Sequence, residues 1–109
     1  MTVAIVGSRT LEINNLEDYL PEGVDTIVSG GAIGMDRCAA RYARAHGIRL
    51  IEILPDYKSF GKGAPLKRNI LIIEAADLVI AFWDGKSRGT KFVIEHCRKI
   101  NKPVRVEYL

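Results

Sequence analysis

The hydrophobic residues of this chain fall into short runs that predict five β-strands. Three of the runs consist almost wholly of apolar, largely β-branched residues, as expected of strands buried on both faces of a parallel sheet. The third and fifth runs mix charged with apolar residues, which is typical of strands at the edges of a sheet. In chain order the predicted strands are Val3–Val6, Thr26–Val28, Arg49–Leu54, Leu78–Phe82 and Val104–Tyr108.

Between these runs the apolar residues recur with a helical period. Asn15 is predicted to cap a short first helix, and Gly47 marks the end of the second. Pro65 suits the first turn of the third helix. The predicted helices are Asn15–Leu20, Met35–His46, Pro65 to Ala75 or Ala76, and Thr90 to about Ile100.

Alternating strands and helices with short connections predict one α/β domain over residues 1–109, a doubly wound five-stranded parallel sheet. If the two charged strands are the edges, the strand order is 3-2-1-4-5. The winding then reverses between the first and fourth strands, and such sheets bind ligands outside the carboxyl ends of the strands at that reversal. The loops after strands one, two and four are therefore the first places to look for a site.

Composition and charge narrow the class of protein. The 109 residues are 48% hydrophobic and 27% charged, as in an ordinary globular domain. No apolar run approaches the roughly 20 residues that span a bilayer, and the amino terminus does not resemble a signal peptide, so we expect a cytoplasmic protein without membrane contact. Cys38 and Cys97 are predicted to be reduced and packed. The net charge of +3 favours an anionic partner.

Two glycine-bearing loops follow the first and second strands. Gly7-Ser8-Arg9 offers a tight turn, a hydroxyl and a guanidinium. The second loop opens directly into a helix, where backbone N–H groups converge on anions. We predict that it binds phosphate or ribose through Ser29, Gly30, Gly31, Gly34 and Asp36.

The loop after the fourth strand combines a guanidinium, two hydroxyls and free amides at another helix opening, a second predicted anion site. Thr90 is predicted to cap this helix, and Trp83 either covers the core or stacks on a ring. Arg68 and Asn69, about one turn past Pro65, are predicted to contact the anion or ribose. The predicted ligand residues of this loop are Trp83, Ser87, Arg88, Gly89 and Thr90.

These motifs resemble those of the YspA/YpsA-like branch of the SMF/DprA–LOG (SLOG) superfamily. The resemblance rests on GSR after the first strand, SGGAIGMD after the second, KRN on the third helix and SRGT before the fourth. It implies a Rossmann-like fold and a pocket for a nucleotide or nucleotide-derived ligand. It also implies that the glycine loop, Asp36 and the SRGT motif line that pocket, with Ser8, Arg9, Arg68 and Asn69 at its edge.

The superfamily also contains LOG-type phosphoribohydrolases, whose PGGxGTxxE motif carries a glutamate that assists cleavage of the glycosidic bond. In this chain Val93 falls where that glutamate would lie, and Gly85-Lys86-Ser87 replaces the Pro-Gly-Gly. Glu95, two residues further, lies on a different side of the helix. Catalytic residues are thus unassigned, with Asp36 and Glu95 as weak candidates and Asp84 as a further source of a carboxylate.

The leading hypothesis is a sensor domain that binds a nucleotide-like small molecule. The alternatives are a nucleoside monophosphate N-glycosidic hydrolase and, ranked last, a single-stranded DNA-binding protein of DprA type. Aromatic residues are only 7% of the chain and most fall on predicted strands and helices, so a stacking platform for nucleic acid is not expected. No cofactor and no metal site are predicted, and a homo-oligomer is left open.

Overall fold

Five parallel strands form one sheet in the order β3-β2-β1-β4-β5, which confirms the predicted strand order and the Rossmann-like, doubly wound architecture. The structure is a computed structural model and describes residues 1–109. The strands are β1 (Thr2–Gly7), β2 (Thr26–Ser29), β3 (Arg49–Glu52), β4 (Leu78–Trp83) and β5 (Val104–Tyr108).

Four helices and two 3-10 turns connect these strands. The helices are α1 (Met35–Ala45), α2 (Tyr57–Phe60), α3 (Ala64–Ala75) and α4 (Arg88–Lys99), and the 3-10 turns span Leu16–Asp18 and Gly61–Gly63. None of the helices is long and apolar enough to cross a lipid bilayer.

The sheet separates two apolar clusters, because successive residues of a strand face opposite sides. Val3 and Ile5 of β1 pack with α1 and the first 3-10 turn, whereas Ala4 and Val6 pack with α3 and α4. Cys38 is buried in the first cluster and Cys97 in the second, and both are free thiols. The central strands β1 and β4 are thereby covered on both faces, and their carboxyl ends are held rigidly beside each other.

The prediction of an α-helix over Asn15–Leu20 is wrong. The segment forms only the 3-10 turn Leu16–Asp18, and the Asn15 side chain makes no capping bond to it but donates to the Asp18 carboxylate at 3.0 Å. Leu16 is the one buried residue of the turn. Helix formation has a costly nucleus, and the six residues before Pro21 leave few positions over which a helix could be extended.

The prediction that Thr90 caps the last helix is also wrong. Helix α4 begins at Arg88, because Ser87 is the cap and its hydroxyl accepts a hydrogen bond from the Thr90 N–H at 3.4 Å. Thr90 lies in the first turn with a buried side chain, and its hydroxyl is 3.2 Å from that of Ser87. The helix opening is thus earlier than predicted, and its first N–H groups are those of Arg88 and Gly89.

Helix α2 is a single turn that the sequence pattern did not indicate. Asp56 caps it by accepting a hydrogen bond from the Ser59 N–H at 3.1 Å, and this contact lowers the pKa of the Asp56 carboxyl. The turn buries no residue and leaves the rings of Tyr57 and Phe60 exposed. Strand β3, which precedes this helix, ends at Glu52 and not at Leu54 as predicted.

Candidate functional site

A cavity of about 500 Å³ lies at the carboxyl ends of β1 and β4, where the winding of the sheet reverses. Its volume is within the range of sites for small molecules and cofactors. The loops after β1 and β4 and the first turns of α1, α3 and α4 form its walls. The polar side chains that line it are those of Ser8, Arg9, Thr10, Asp36, Arg68, Asn69, Asp84, Lys86, Ser87 and Thr90.

The structure brings most of the predicted ligand residues together at this cavity. Those that line it are Gly7, Ser8, Arg9, Asp36, Arg68, Asn69, Ser87, Gly89 and Thr90. Those that do not line it are Ser29, Gly30, Gly31, Gly34, Trp83 and Arg88. Contact of any of these residues with a ligand stays a prediction.

Trp83 and Glu95 do not line the cavity, and each contacts other residues of the chain. The Trp83 indole N–H donates to the carbonyl oxygen of Ser87 at 3.0 Å, and its ring centroid lies 5.7 Å from that of Tyr108. Trp83 therefore helps to fix the position of the loop between β4 and α4. Glu95, a weak catalytic candidate, is exposed and forms an ion pair with Lys91 at 3.7 Å, away from the cavity. Arg88 is also exposed and does not line the cavity.

The glycines after β2 do not line the cavity, but Gly30 allows two of its lining side chains to approach the backbone closely. The Gly30 carbonyl oxygen accepts a hydrogen bond from Nη1 of Arg68 at 2.7 Å, and a Cβ at Gly30 would lie 2.5 Å from that nitrogen. It would also lie 2.9 Å from Oδ2 of Asp36. Gly30 therefore allows a guanidinium and a carboxylate to approach the same stretch of backbone.

Gly31 and Gly34 serve packing in the same loop. Both have positive φ, of 73° and 77°, which favours glycine. A Cβ at Gly31 would lie 2.5 Å from the Leu54 side chain, and one at Gly34 would lie 2.5 Å from the carbonyl oxygen of Arg9. The space beside both glycines is thus filled by the protein, whereas the sequence interpretation left it open for an anion.

Asp36 is the most deeply buried carboxylate of the cavity, with 8% of its surface exposed. Its Oδ2 accepts a hydrogen bond from the Ala32 N–H at 3.1 Å. Loss of hydration raises the pKa of this carboxyl above its ordinary value of 3.8, and the Ala32 bond and the positive charge of Arg68 oppose the rise only in part. A buried acceptor of this kind suits a hydroxyl of a ligand.

Replacing Asp36 with asparagine is expected to raise the melting temperature at neutral pH. Because the folded chain holds the Asp36 proton more tightly than the unfolded chain, this carboxyl stabilises the fold below pH about 4 and loses that contribution as the pH rises. Asparagine does not titrate, so its advantage over aspartate should shrink on acidification. Thermal unfolding followed by circular dichroism between pH 3 and 8 measures the difference.

The control for this experiment is Asp84→Asn, which should have the opposite sign. Hydrogen bonds from the N–H groups of Ser87 and Lys86 lower the pKa of the Asp84 carboxyl. Its contribution to stability is therefore present at neutral pH and disappears as the pH falls. A stability gain for Asp36→Asn that is independent of pH would contradict the role assigned to its burial.

Asp84 organises the loop before α4. Its Oδ1 accepts hydrogen bonds from the N–H groups of Lys86 at 2.8 Å and Ser87 at 2.9 Å, and its Oδ2 accepts one from the Thr10 hydroxyl at 3.3 Å. Its own N–H donates to Oγ of Ser8 at 3.3 Å. Asp84 thus ties the loop after β1 to the loop after β4, and most of its acceptor capacity is already used.

Three cations face this cavity, and two of them have no anionic partner in the chain. Neither Arg9 nor Lys86 takes part in an ion pair or a side-chain hydrogen bond. Arg68 uses Nη1 on Gly30 and Nε on the Asn69 side chain, at 2.9 Å, which leaves Nη2 free to bind an anion. The cavity also receives the amino-terminal end of α4, where helix dipoles favour negative charge.

The sequence interpretation missed several residues of the cavity wall. Lys86 lies in a loop that was considered for its Ser87 and Arg88, and Asp84 was considered only as a source of a carboxylate. Val93 lines the cavity one turn after Thr90, so helical spacing from that residue was the signal that places it there. The remaining wall residues are Val6, Thr10, Ala32, Pro65 and Ile72. No group of three His, Cys, Asp or Glu side chains is arranged to hold a metal ion.

Comparison with known proteins relates the chain to several others. The Gene 61 protein of Mycobacterium phage D29 is 36% identical over 116 aligned residues, which cover 94% of this chain and 92% of that protein. DNA processing protein A from Helicobacter pylori, whose structure concerns its single-stranded DNA binding mode, superimposes with a TM-score of 0.70 at 25% identity. The DprA structure from Streptococcus pneumoniae superimposes with a TM-score of 0.73 at 21% identity, which shows the fold.

The superpositions cover 97% and 96% of this chain but only 64% and 49% of the two DprA chains. The match to the DprA proteins thus concerns part of each of those longer molecules. The model of the YspA, cpYpsA-related SLOG family matches residues 1–60, which include the loops after β1 and β2 and the start of α1. This match and the phage relative show that the chain belongs to the YspA, cpYpsA-related SLOG family.

Proposed function

We propose that this domain binds a nucleotide or a nucleotide-derived ligand with at least one phosphate group. The observation that carries the proposal is the set of cations around one cavity: Arg9, Lys86 and the free Nη2 of Arg68. None of these side chains forms an ion pair in the chain, so a phosphate placed among them would gain charge-assisted hydrogen bonds. The family match and the likeness to DprA support a nucleotide or nucleic-acid ligand in general, without favouring a particular one.

Two groups of cavity residues suit different parts of such a ligand. Lys86, Gly89 and the linked hydroxyls of Ser87 and Thr90 offer positive charge, a backbone N–H and one remaining O–H donor, as phosphate oxygens require. The buried acceptor Asp36 and the Asn69 side chain also line the cavity. A ribose hydroxyl that donates to Asp36 would be recognised there.

The cavity favours binding over cleavage of the ligand. Val93 supplies an apolar wall where LOG-type enzymes carry a glutamate, and Asp84 is committed to the loop that it organises. Asp36 remains as a single carboxylate. Cleavage of a glycosidic bond ordinarily uses two carboxyl groups on opposite sides of that bond. We therefore infer a sensor domain rather than a hydrolase.

The experiment that tests this proposal is a calorimetric titration of the full chain with AMP, ribose 5-phosphate and adenosine. We expect AMP and ribose 5-phosphate to bind and adenosine to bind at least about tenfold more weakly, because it lacks the phosphate. Chromatography of the AMP mixture should show no released adenine. Equal binding of adenosine and AMP would contradict the phosphate assignment, and adenine release would support the hydrolase instead.

A second candidate function is binding of single-stranded nucleic acid, and the surface around α2 favours it. The rings of Tyr57 and Phe60 are 59% and 47% exposed, and Nζ of Lys67 lies 5.9 Å from the centroid of the Phe60 ring. Lys58 and Lys62 are exposed in the same segment. Exposed rings among lysines are the combination on which unpaired bases stack. These two exposed rings are the observation that speaks against the expectation from sequence that no stacking platform is present.

Fluorescence anisotropy with a labelled oligonucleotide distinguishes the two candidates. If the cavity serves a mononucleotide alone, Tyr57→Ala/Phe60→Ala should bind AMP as the parent does and neither protein should bind the oligonucleotide. If the α2 surface binds nucleic acid, the parent should bind in a salt-dependent manner and the double variant should lose that binding.

A further inference from the structure

Strand β5 leaves one edge of the sheet open, and its outward-facing backbone groups belong to alternate residues. The Leu109 N–H donates to Trp83 at 3.2 Å and the Val79 N–H donates to Pro103 at 3.0 Å, so odd-numbered residues direct their N–H and C=O groups toward β4. The groups of Val104, Val106 and Tyr108 therefore point away from the sheet. They are a row of donors and acceptors available to another strand.

The side chains of β5 divide cleanly between the two faces of the sheet. Val104 and Val106 pack against the apolar cluster beneath α3 and α4, and Tyr108 contacts the Trp83 ring on that side. Arg105 and Glu107 lie on the other face, since they alternate with the apolar residues. Nη1 of Arg105 donates to the carbonyl oxygen of Tyr19 at 2.8 Å, and Tyr19 packs on that other face, against the cluster beside α1. Glu107 has no ion pair in the chain.

We propose that β5 pairs with β5 of a second copy of this chain, antiparallel and with Val106 opposite Val106, so that two five-stranded sheets become one. In this register Arg105 lies opposite Glu107 of the second copy, and Glu107 lies opposite Arg105 of the second copy. Val104 lies opposite Tyr108 on the apolar face. Opposite charges at directly opposed positions stabilise a strand pair, and this strand offers them twice.

Geometry selects this register over its neighbours. Opposed residues share a face, so the symmetric alternatives place Arg105 opposite Arg105 or Glu107 opposite Glu107, and like charges there destabilise the pair. With Val106 at the centre, Val106 and its copy exchange both of their backbone hydrogen bonds, as do Val104 and Tyr108. Arg105 and Glu107 then form non-hydrogen-bonded pairs, in which side chains are closest.

The opposite edge of the sheet lacks this self-complementarity. In β3 the charged residues Arg49 and Glu52 are three positions apart and face opposite sides, so they never oppose each other in a symmetric antiparallel pair. Glu52 is also engaged by Arg44 at 3.3 Å. We therefore expect one pairing edge per chain and a closed dimer rather than a fibre.

Analytical ultracentrifugation of the full chain tests the proposal. A single strand edge is small beside the roughly 1,200–2,000 Å² of a standard interface, so we expect a reversible dimer at about 100 µM that dissociates on dilution. Glu107→Arg should weaken dimerisation roughly tenfold or more, because two attractive pairs become repulsive. Adding Arg105→Glu to Glu107→Arg exchanges the charges and should restore the dimer.

Arg49→Glu at the other edge is the matched charge-reversal control and should dimerise like the parent. Circular dichroism verifies that each variant has the fold of the parent. A monomeric parent at every concentration would overturn the proposal. So would a Glu107→Arg protein that dimerises like the parent, or a folded double variant that stays monomeric.

Discussion

Replacing Arg68 with alanine is expected to weaken AMP binding by roughly ten- to a hundredfold, the effect of losing a hydrogen bond to a charged group. The guanidinium is held by Gly30 and Asn69 and keeps Nη2 free at the cavity. Because its position is fixed before the ligand arrives, little side-chain entropy is lost on binding. Arg68→Lys should recover only part of the affinity, since an ammonium cannot bind Gly30, Asn69 and a phosphate in the same planar arrangement.

The controls for Arg68→Ala are chosen from its neighbours. Lys67→Ala removes the adjacent exposed charge, which lies over Phe60 and not at the cavity. Arg88→Ala removes the guanidinium that the sequence interpretation favoured and that the structure leaves on the outer surface. Both should bind AMP nearly as the parent does in calorimetry. Parent-like affinity of Arg68→Ala together with a large loss for Arg88→Ala would restore the sequence-based assignment.

Gly34→Ala is expected to lower the free energy of unfolding by about 2–5 kcal/mol, the combined cost of a strained backbone and an overpacked contact. Gly34 has φ 77° and ψ −129°, and its added methyl group would lie 2.5 Å from the carbonyl oxygen of Arg9. In a domain of this size the melting temperature should fall by roughly 10 °C or more. Thermal unfolding followed by circular dichroism measures it.

Gly85→Ala separates the two causes of this loss. Gly85 also has positive φ, of 81°, but a Cβ there would meet no atom within 4 Å. The variant should lose only about 1–2 kcal/mol, the backbone cost alone. Equal losses in the two proteins would show that the close approach of the Arg9 backbone adds nothing to the cost of a methyl group at Gly34.

The strands and their order could be predicted from the sequence, because uncharged apolar runs indicate buried central strands and runs that contain charges indicate exposed edge strands. Val3–Val6 and Leu78–Phe82 contain no charged residue and form the two central strands, whereas the charged runs became the edges. The 3-10 turn at Leu16–Asp18 was harder to predict. Asn15 and the acidic residues after it satisfy the local rules for the start of an α-helix. Whether a helix follows depends on extension over several turns, and only five residues lie between Asn15 and Pro21.

The cavity was predictable in location but not in detail. Strand order places the loops after β1 and β4 side by side, and their motifs supply Ser8, Arg9 and Ser87. The direction of each side chain depends on where a helix begins. A shift of α4 by two residues puts Arg88 outside and leaves Lys86 at the cavity, and no periodicity in the sequence reports such a shift. The three glycines after β2 signalled close approach correctly but not the identity of the approaching atoms.

The contact between Gly34 and Arg9 has a consequence for how this site can diversify. The three atoms that a Cβ at Gly34 would meet first are main-chain atoms of Arg9: its carbonyl oxygen, its carbonyl carbon and its Cα. This close approach fixes the backbone position of residue 9 and does not depend on the identity of its side chain. If the cavity binds the proposed ligand, substitutions at residue 9 are expected to change ligand affinity with little effect on folding, whereas substitutions at Gly34 act on folding first.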